Sequence, residues 1–237
     1  MSTMKRIAFD IETVGENFDN IDEITKDVLT HSLVRDDGDE SDKERLLRDL
    51  KDGLGFSPLT GQVVAVGVMD IDSQKGGVYF QSPEKPHERV EEDGITFEAM
   101  TEEKILKKFW EIAEHANVFV TFNGRAFDVP FLIVKSAVHG IKPTVNLMQN
   151  RYLSYQNSGA VHVDLFDQFS FYGAVRRKGG MHLWCRAFGI KSPKEDGVNG
   201  DDVARLFEEG KFLDIAKYNV GDIRATKELF HIWEKYF

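Results

Sequence analysis

Apolar residues recur along the chain in two rhythms, and the rhythm assigns the elements. Residues 4–11, "MKRIAFDI", form a short apolar run that reads as a first strand. "GQVVAVGVMDI" (61–71) and "GGVYFQS" (76–82) read as two more strands, joined as a hairpin through residues 72–77. "TEEKILKKFWEIAEHA" (101–116) instead places Ile105, Leu106, Phe109, Ile112, Ala113 and Ala116 on one helical face. "NVFVTFNG" (117–124) is a fourth strand, and "DVPFLIVKSAVHG" (128–140) is a helix opened near Pro130 and stopped by Gly140. "VHVDLFDQF" (161–169) is a fifth strand, and helices fill most of the remainder to Phe237. The order βββαβαβαα, a hairpin first and crossovers afterwards, predicts an α/β fold: a mixed five-stranded sheet flanked by helices.

Residues 16–56 break this pattern. They hold 13 acidic and 6 basic residues, a local net of −7. Within them "SDKERLLRDL" offers a capping box, Ser41 with Glu44, ahead of leucines at helical spacing. The preceding "RDDGDES" (35–41) reads as a solvated turn. The segment is expected to be an acidic helical insertion within one domain spanning residues 1–237. It would repel nucleic acid if it lined a cleft, so it is expected to lie away from one or to gate it.

Composition narrows the classes. With 41% apolar residues and 18 phenylalanines, the 237-residue chain can bury a sizeable core. No apolar run approaches membrane-spanning length, so no membrane partner is expected. The first residues pass straight into a strand without a signal-peptide pattern. The lone Cys185, in "LWCRAFGI", excludes an intramolecular disulfide, reads as a buried small hydrophobe and fits a reducing cytoplasm. A net charge of −10 argues against phosphate binding, but the segment 16–56 leaves only −3 for the rest of the chain. Setting aside four carboxylates as metal ligands turns that remainder to +1.

Three stretches carry candidate chemistry. Asp10 and Glu12 lie two apart at the end of the first strand, which points both to one face. Asp128 opens a helix after the glycine turn of "TFNGRAFDVPFL". Tyr218 and Asp222, four apart in "YNVGDIRATKELF", share one helical face. Each has an ordinary explanation: a solvated strand end, an N-cap at Asp128, a packing tyrosine, an exposed helical aspartate. Together they would place four carboxylates at one sheet edge. At ~4 Å and an effective dielectric of ~20, each like-charged pair costs about 4 kcal/mol. Two divalent cations would offset that charge, and an all-oxygen donor set without a cysteine or histidine cluster favours Mg²⁺ or Mn²⁺ over zinc. Two such ions about 3.5–4 Å apart activate water and stabilise the leaving oxygen of a phosphodiester.

Asp10-x-Glu12, "NGRAFD" with Asp128, and Tyr218-x-x-x-Asp222 resemble, in order, the three exonuclease motifs of the DEDD 3′–5′ exonucleases. The tyrosine resembles the DEDDy branch, and "FNGRAFDVPFL" is most similar to the proofreading domain of family B DNA polymerases and their stand-alone relatives. "LWCRAFGIKSPKEDG" and "HVDLFD" also resemble connecting segments of that family. The resemblance implies a ribonuclease H-like fold and metal-dependent removal of nucleotides from a 3′ end. It implies Asp10, Glu12, Asp128 and Asp222 as ligands of two Mg²⁺ or Mn²⁺ ions and Tyr218 as the residue that orients the attacking water. Asp164 and Asp167 have no place in its motifs and are read as structural.

Around the substrate, Asn123 and Gly124 are candidates to approach the terminal nucleotide, glycine allowing a close approach. Phe127 and Phe131 are candidates to stack on terminal bases, with core packing the alternative for both. Arg176, Arg177 and Lys178, beside flexible glycines, are a candidate backbone clamp, or simply a solvated loop. The expected partner is a single-stranded nucleic acid with a free 3′ end, DNA before RNA, in proofreading or repair. A polymerase or repair protein is a candidate second partner. Two other readings stand beside this one: a catalytically idle module that binds nucleic acid or a polymerase, and a phosphohydrolase of small nucleotides. Retention of all four carboxylates and the tyrosine counts against the idle module.

Overall fold

A computed structural model describes residues 5–34, 40–85, 88–196 and 200–237. The first strand, β1 (Arg6–Gly15), is followed by a 3₁₀ turn at Phe18–Asn20, helices α1 (Glu23–Val34) and α2 (Glu40–Gly53), and a second 3₁₀ turn at Leu54–Phe56. Strands β2 (Gly61–Asp70), β3 (Gly76–Phe80), β4 (Arg89–Glu92) and β5 (Ile95–Ala99) come next. Helix α3 (Glu102–Ala113), β6 (Val118–Thr121), α4 (Asp128–Val138), β7 (Val161–Asp164) and α5 (Leu165–Phe169) form the crossovers. Helices α6 (Met181–Phe188), α7 (Val203–Glu208) and the long α8 (Phe212–Tyr236) complete the chain.

The strands form one mixed sheet in the order β4-β5-β3-β2-β1-β6-β7. All five expected strands are present, and β4 and β5 extend the sheet to seven. Their turn is Asp93-Gly94, both with positive φ (51° and 79°), the backbone that a two-residue hairpin with right-handed twist requires. The fifth expected strand is shorter than its apolar run. It stops at Asp164, whose carboxylate accepts from the Phe166 amide and turns the chain into α5.

Alternation along β1 sorts its side chains onto two cores. Ile7, Phe9 and Ile11 pack with Phe109 and Trp110 of α3 and Phe131 and Leu132 of α4. Ala8 and Val14 join the opposite core, which α8 covers with Val220, Ile223 and Leu229. Asp10 and Glu12 share the parity of Ala8 and face α8. The first strand does not end at these two residues. It runs on to Gly15, paired with β2 down to Gly61, with a bulge at Val64 between the Glu12 and Thr13 pairings. On its other side, β6 pairs with β1 only through Ala8. The later half of β1 therefore has an open edge, and there the site is built.

The insertion is helical as expected, although Ser41 lies inside α2 rather than ahead of it. The turn at 35–39 falls outside the described residues. Cys185 is fully buried, and burial pushes its thiol up to about 11, so it behaves as an apolar core residue. Among the described residues no helix is long and apolar enough to cross a membrane.

Candidate active site

Three elements converge at the open edge of β1. Asp10 and Glu12 project from its α8-facing side. Tyr218 and Asp222 lie one turn apart on the same face of α8. Asp10, Glu12 and Asp222 each offer an oxygen within 4.8 Å of the other two, the one such group of potential metal ligands among the described residues. Asp128 arrives from α4. It is the first residue of that helix and not its N-cap, a position held by Phe127. Its Oδ1 accepts from the Ile11 amide at 3.1 Å, satisfying a β1 donor that β6 stops too early to pair. Asp128 is 3% exposed, and its charge acts on both Asp10 and Glu12.

The electrostatics are strained. Burial first, and then the charges of Asp128, Asp222 and Glu12, hold the Asp10 carboxyl well above the usual range. Burial and Asp222 do the same to Glu12. Burial pushes Asp128 and Asp222 up to about 7, with Tyr218 and the nearby Lys194 partly opposing the shift at Asp222. Tyr218 is itself raised, by burial and then by Asp222, so it remains a neutral phenol. Four acids that resist ionisation at neutral pH, all with oxygen donors, fit hard divalent cations.

One member of the constellation has no counterpart in the sequence motifs. Asn219, fully buried on α8, donates through Nδ2 to Asp10 Oδ2 at 2.8 Å and to Glu12 Oε1 at 3.2 Å. Its available signal was spacing alone, since it lies three residues before Asp222 on the same face.

The substrate candidates are placed unequally. Asn123, with φ of 67°, lies two residues past the end of β6; its amide and that of Arg125 both donate to Asp164, at 2.8 and 2.9 Å. Asp164 thus shapes the turn ahead of Asp128, and Asp167 pairs with Arg151, both structural as expected. Gly124 has a packing reason of its own: a Cβ there would come within 2.4 Å of Thr121 Oγ1, so the space under the turn demands glycine. Phe131 is fully buried in the core and does not stack on substrate. Phe127 is half-buried, bridging Phe131 (ring centroids 5.6 Å apart) to the exposed Phe56 (6.5 Å). Arg176, Arg177 and Lys178 are exposed on the loop before α6, without a carboxylate partner among the described residues. Lys178 Nζ sits 5.7 Å from the Phe166 ring, which packs on Phe122 at the end of β6.

The part of the insertion that comes back beside β1 is its uncharged return turn, Leu54–Phe56. Thr13, next to Glu12, donates its hydroxyl to the Gly55 carbonyl at 2.7 Å. A cleft of about 580 Å³ opens beyond β1, lined by Gly15, Phe18, Lys51 and Asp52 on one side and by Phe207 of α7 on the other.

Residues 62–236 match a family described as predicted 3′–5′ exonucleases related to the exonuclease domain of PolB. The chain belongs to this family. The matched stretch of this PolB-related exonuclease family contains Asp128, Tyr218 and Asp222; Asp10 and Glu12 precede it. The DNA polymerase of Desulfurococcus sp. (strain Tok) is 29% identical over 147 residues, covering 54% of this chain and 18% of the polymerase. That of Thermococcus gorgonarius is 27% identical over 147 residues, with the same coverages. The chain thus corresponds to under a fifth of these relatives' length. The structure of the family B DNA polymerase from the hyperthermophilic archaeon Pyrobaculum calidifontis superposes with a TM-score of 0.60 at 16% identity, over 98% of this chain and 24% of that one. The shared fold is that of a PolB exonuclease domain, the ribonuclease H-like fold.

The raised carboxyls fix a pH dependence. Their folded pKa values exceed the unfolded ones, so the folded state holds extra protons between about pH 4 and 7 and loses stability as pH rises through that window. In EDTA, Asp10→Asn should be more stable than wild type at pH 8, because it removes a carboxyl whose ionisation burial and its neighbours oppose. The two should converge at pH 4, as read by urea unfolding. A wild type more stable than Asp10→Asn at pH 8 would contradict the electrostatic picture.

Proposed function

We propose that the protein is a metal-dependent 3′–5′ exonuclease, hydrolysing phosphodiester bonds from the 3′ end of single-stranded nucleic acid, DNA before RNA. The observation that carries this reading is the meeting of Asp10, Glu12 and Asp222 within 4.8 Å, each carboxyl pushed up by burial. Asp10, Glu12, Asp128 and Asp222 would hold two Mg²⁺ or Mn²⁺ ions. Bound there, such cations lower the pKa of a water and neutralise charge on the leaving oxygen. Family membership supports the reaction class, and relatives named DNA polymerases favour DNA.

The chain's own groups supply orientation. Tyr218, kept neutral beside Asp222, offers a hydrogen bond that aligns an attacking water and does not remove its proton. Phe127 and Phe56 present aromatic surface beside Asp128 for sequence-tolerant stacking of terminal bases. Arg176, Arg177 and Lys178 stand ready to neutralise phosphates of the strand. Asn123 and Gly124, in the turn ahead of Asp128, would form the rim nearest the terminal sugar.

Incubation with 5′-labelled single-stranded DNA and RNA in Mg²⁺, Mn²⁺ or EDTA tests this directly. A metal-dependent ladder shortening from the 3′ end is expected, absent in Asp10→Ala. Binding without a ladder under every metal condition would sink the proposal and favour an idle binding module. Tyr218→Phe should bind Mn²⁺ as wild type does, with kcat lower by about 10-fold or more. An unchanged kcat would remove Tyr218 from the reaction.

A further inference from the structure

We infer that Asn219 is a positioning residue that holds Asp10 and Glu12 in one shared geometry for cation binding, and that the bare face of Gly67 exists to seat it. The inference rests on the metal reading above. A carboxamide nitrogen carries two hydrogens, and Asn219 spends them on two different carboxylates, at 2.8 Å from Asp10 Oδ2 and 3.2 Å from Glu12 Oε1. That bridge fixes the rotation of both acids with one group and leaves the second oxygen of each free. With both acids ionised, as cation binding requires, charge sets the amide orientation: turned over, its oxygen would face two carboxylates.

The other end of the side chain shows that packing alone did not select it. Asn219 Oδ1 is fully buried and has no hydrogen-bond partner, which is unfavourable for a residue whose only task is filling a core. Room for that oxygen comes from β2. Gly67 pairs directly across from Asp10, and a Cβ at Gly67 would stand 2.0 Å from Asn219 Oδ1 and 2.1 Å from Ile223 Cδ1. Any side chain at 67 would therefore push α8 or the asparagine off the carboxylates. Three positions distant in sequence act as one device: the acid pair on β1, the amide on α8, and the vacant face of β2 beneath it.

The test measures Mn²⁺ affinity by calorimetry, without nucleic acid, on wild type, Asn219→Leu, Asn219→Ala and Gly67→Ala. Folding of each is checked by near-ultraviolet circular dichroism. Leucine keeps the volume and removes the donors, so a filling role predicts unchanged affinity. The positioning role predicts a 10- to 100-fold loss in both Asn219 variants. Gly67→Ala should lose affinity likewise, and adding it to Asn219→Ala should cost little more, because both act on one contact. A folded Asn219 variant with wild-type affinity would overturn the inference while leaving the metal reading intact. Failure of both variants to fold would assign Asn219 to the core and overturn it too. Absence of Mn²⁺ binding in wild type would overturn the metal reading itself, and this inference with it.

Discussion

Four carboxylates drawn to one place, Glu12 and Asp128 buried and Asp10 and Asp222 half-buried, set the terms for everything else in this fold. Repulsion among Asp10, Glu12, Asp128 and Asp222 and the loss of their hydration both act against the folded chain, and the upward shift of all four carboxyls is the direct expression of that opposition. Such a cluster persists only where the surrounding structure is firm enough to impose it. Here two cores on either face of a seven-stranded sheet do so, with β1 clamped between them. The strain is of the kind concentrated at functional sites, where it is relieved by what binds there.

The sheet's irregularities are what make room for the cluster. β6 stops short of β1, which frees the Ile11 amide for Asp128. Because β1 itself continues, Asp10 and Glu12 are held in the middle of a rigid strand, with less freedom than a strand end would give them. α8 then lays Tyr218, Asn219 and Asp222 across that strand from the other side. The insertion's return turn, anchored by Thr13, closes one flank.

Much of this was legible in the sequence because it rests on periodicity. The two-residue spacing of Asp10 and Glu12 and the four-residue spacing of Tyr218 and Asp222 are local geometry, and the structure keeps both on single faces. The hairpin at Asp93-Gly94 also had a local signal, a two-residue turn between short alternating runs, which the stronger apolar strands overshadowed. What could not be read depends on tertiary contacts. The continuation of β1 to Gly15 is decided by pairing with β2, although the segment after Ile11 is polar enough to look like a strand end. Gly124 reads as a ligand-approach glycine, and the packing requirement that Thr121 beneath it adds is invisible in the local sequence. Asn219 is an unremarked polar residue until Gly67, more than 150 positions earlier, supplies the space it occupies. The return of residues 54–56 against β1 follows from contacts that no local pattern encodes.

The central claim is that the charge cluster exists to hold divalent cations. Anomalous diffraction from crystals grown in Mn²⁺ tests it most directly. The account predicts manganese peaks bounded by Asp10, Glu12, Asp128 and Asp222, about 3.5–4 Å apart, with oxygen ligands only. Well-ordered crystals in millimolar Mn²⁺ with no peak among these four carboxylates would contradict it.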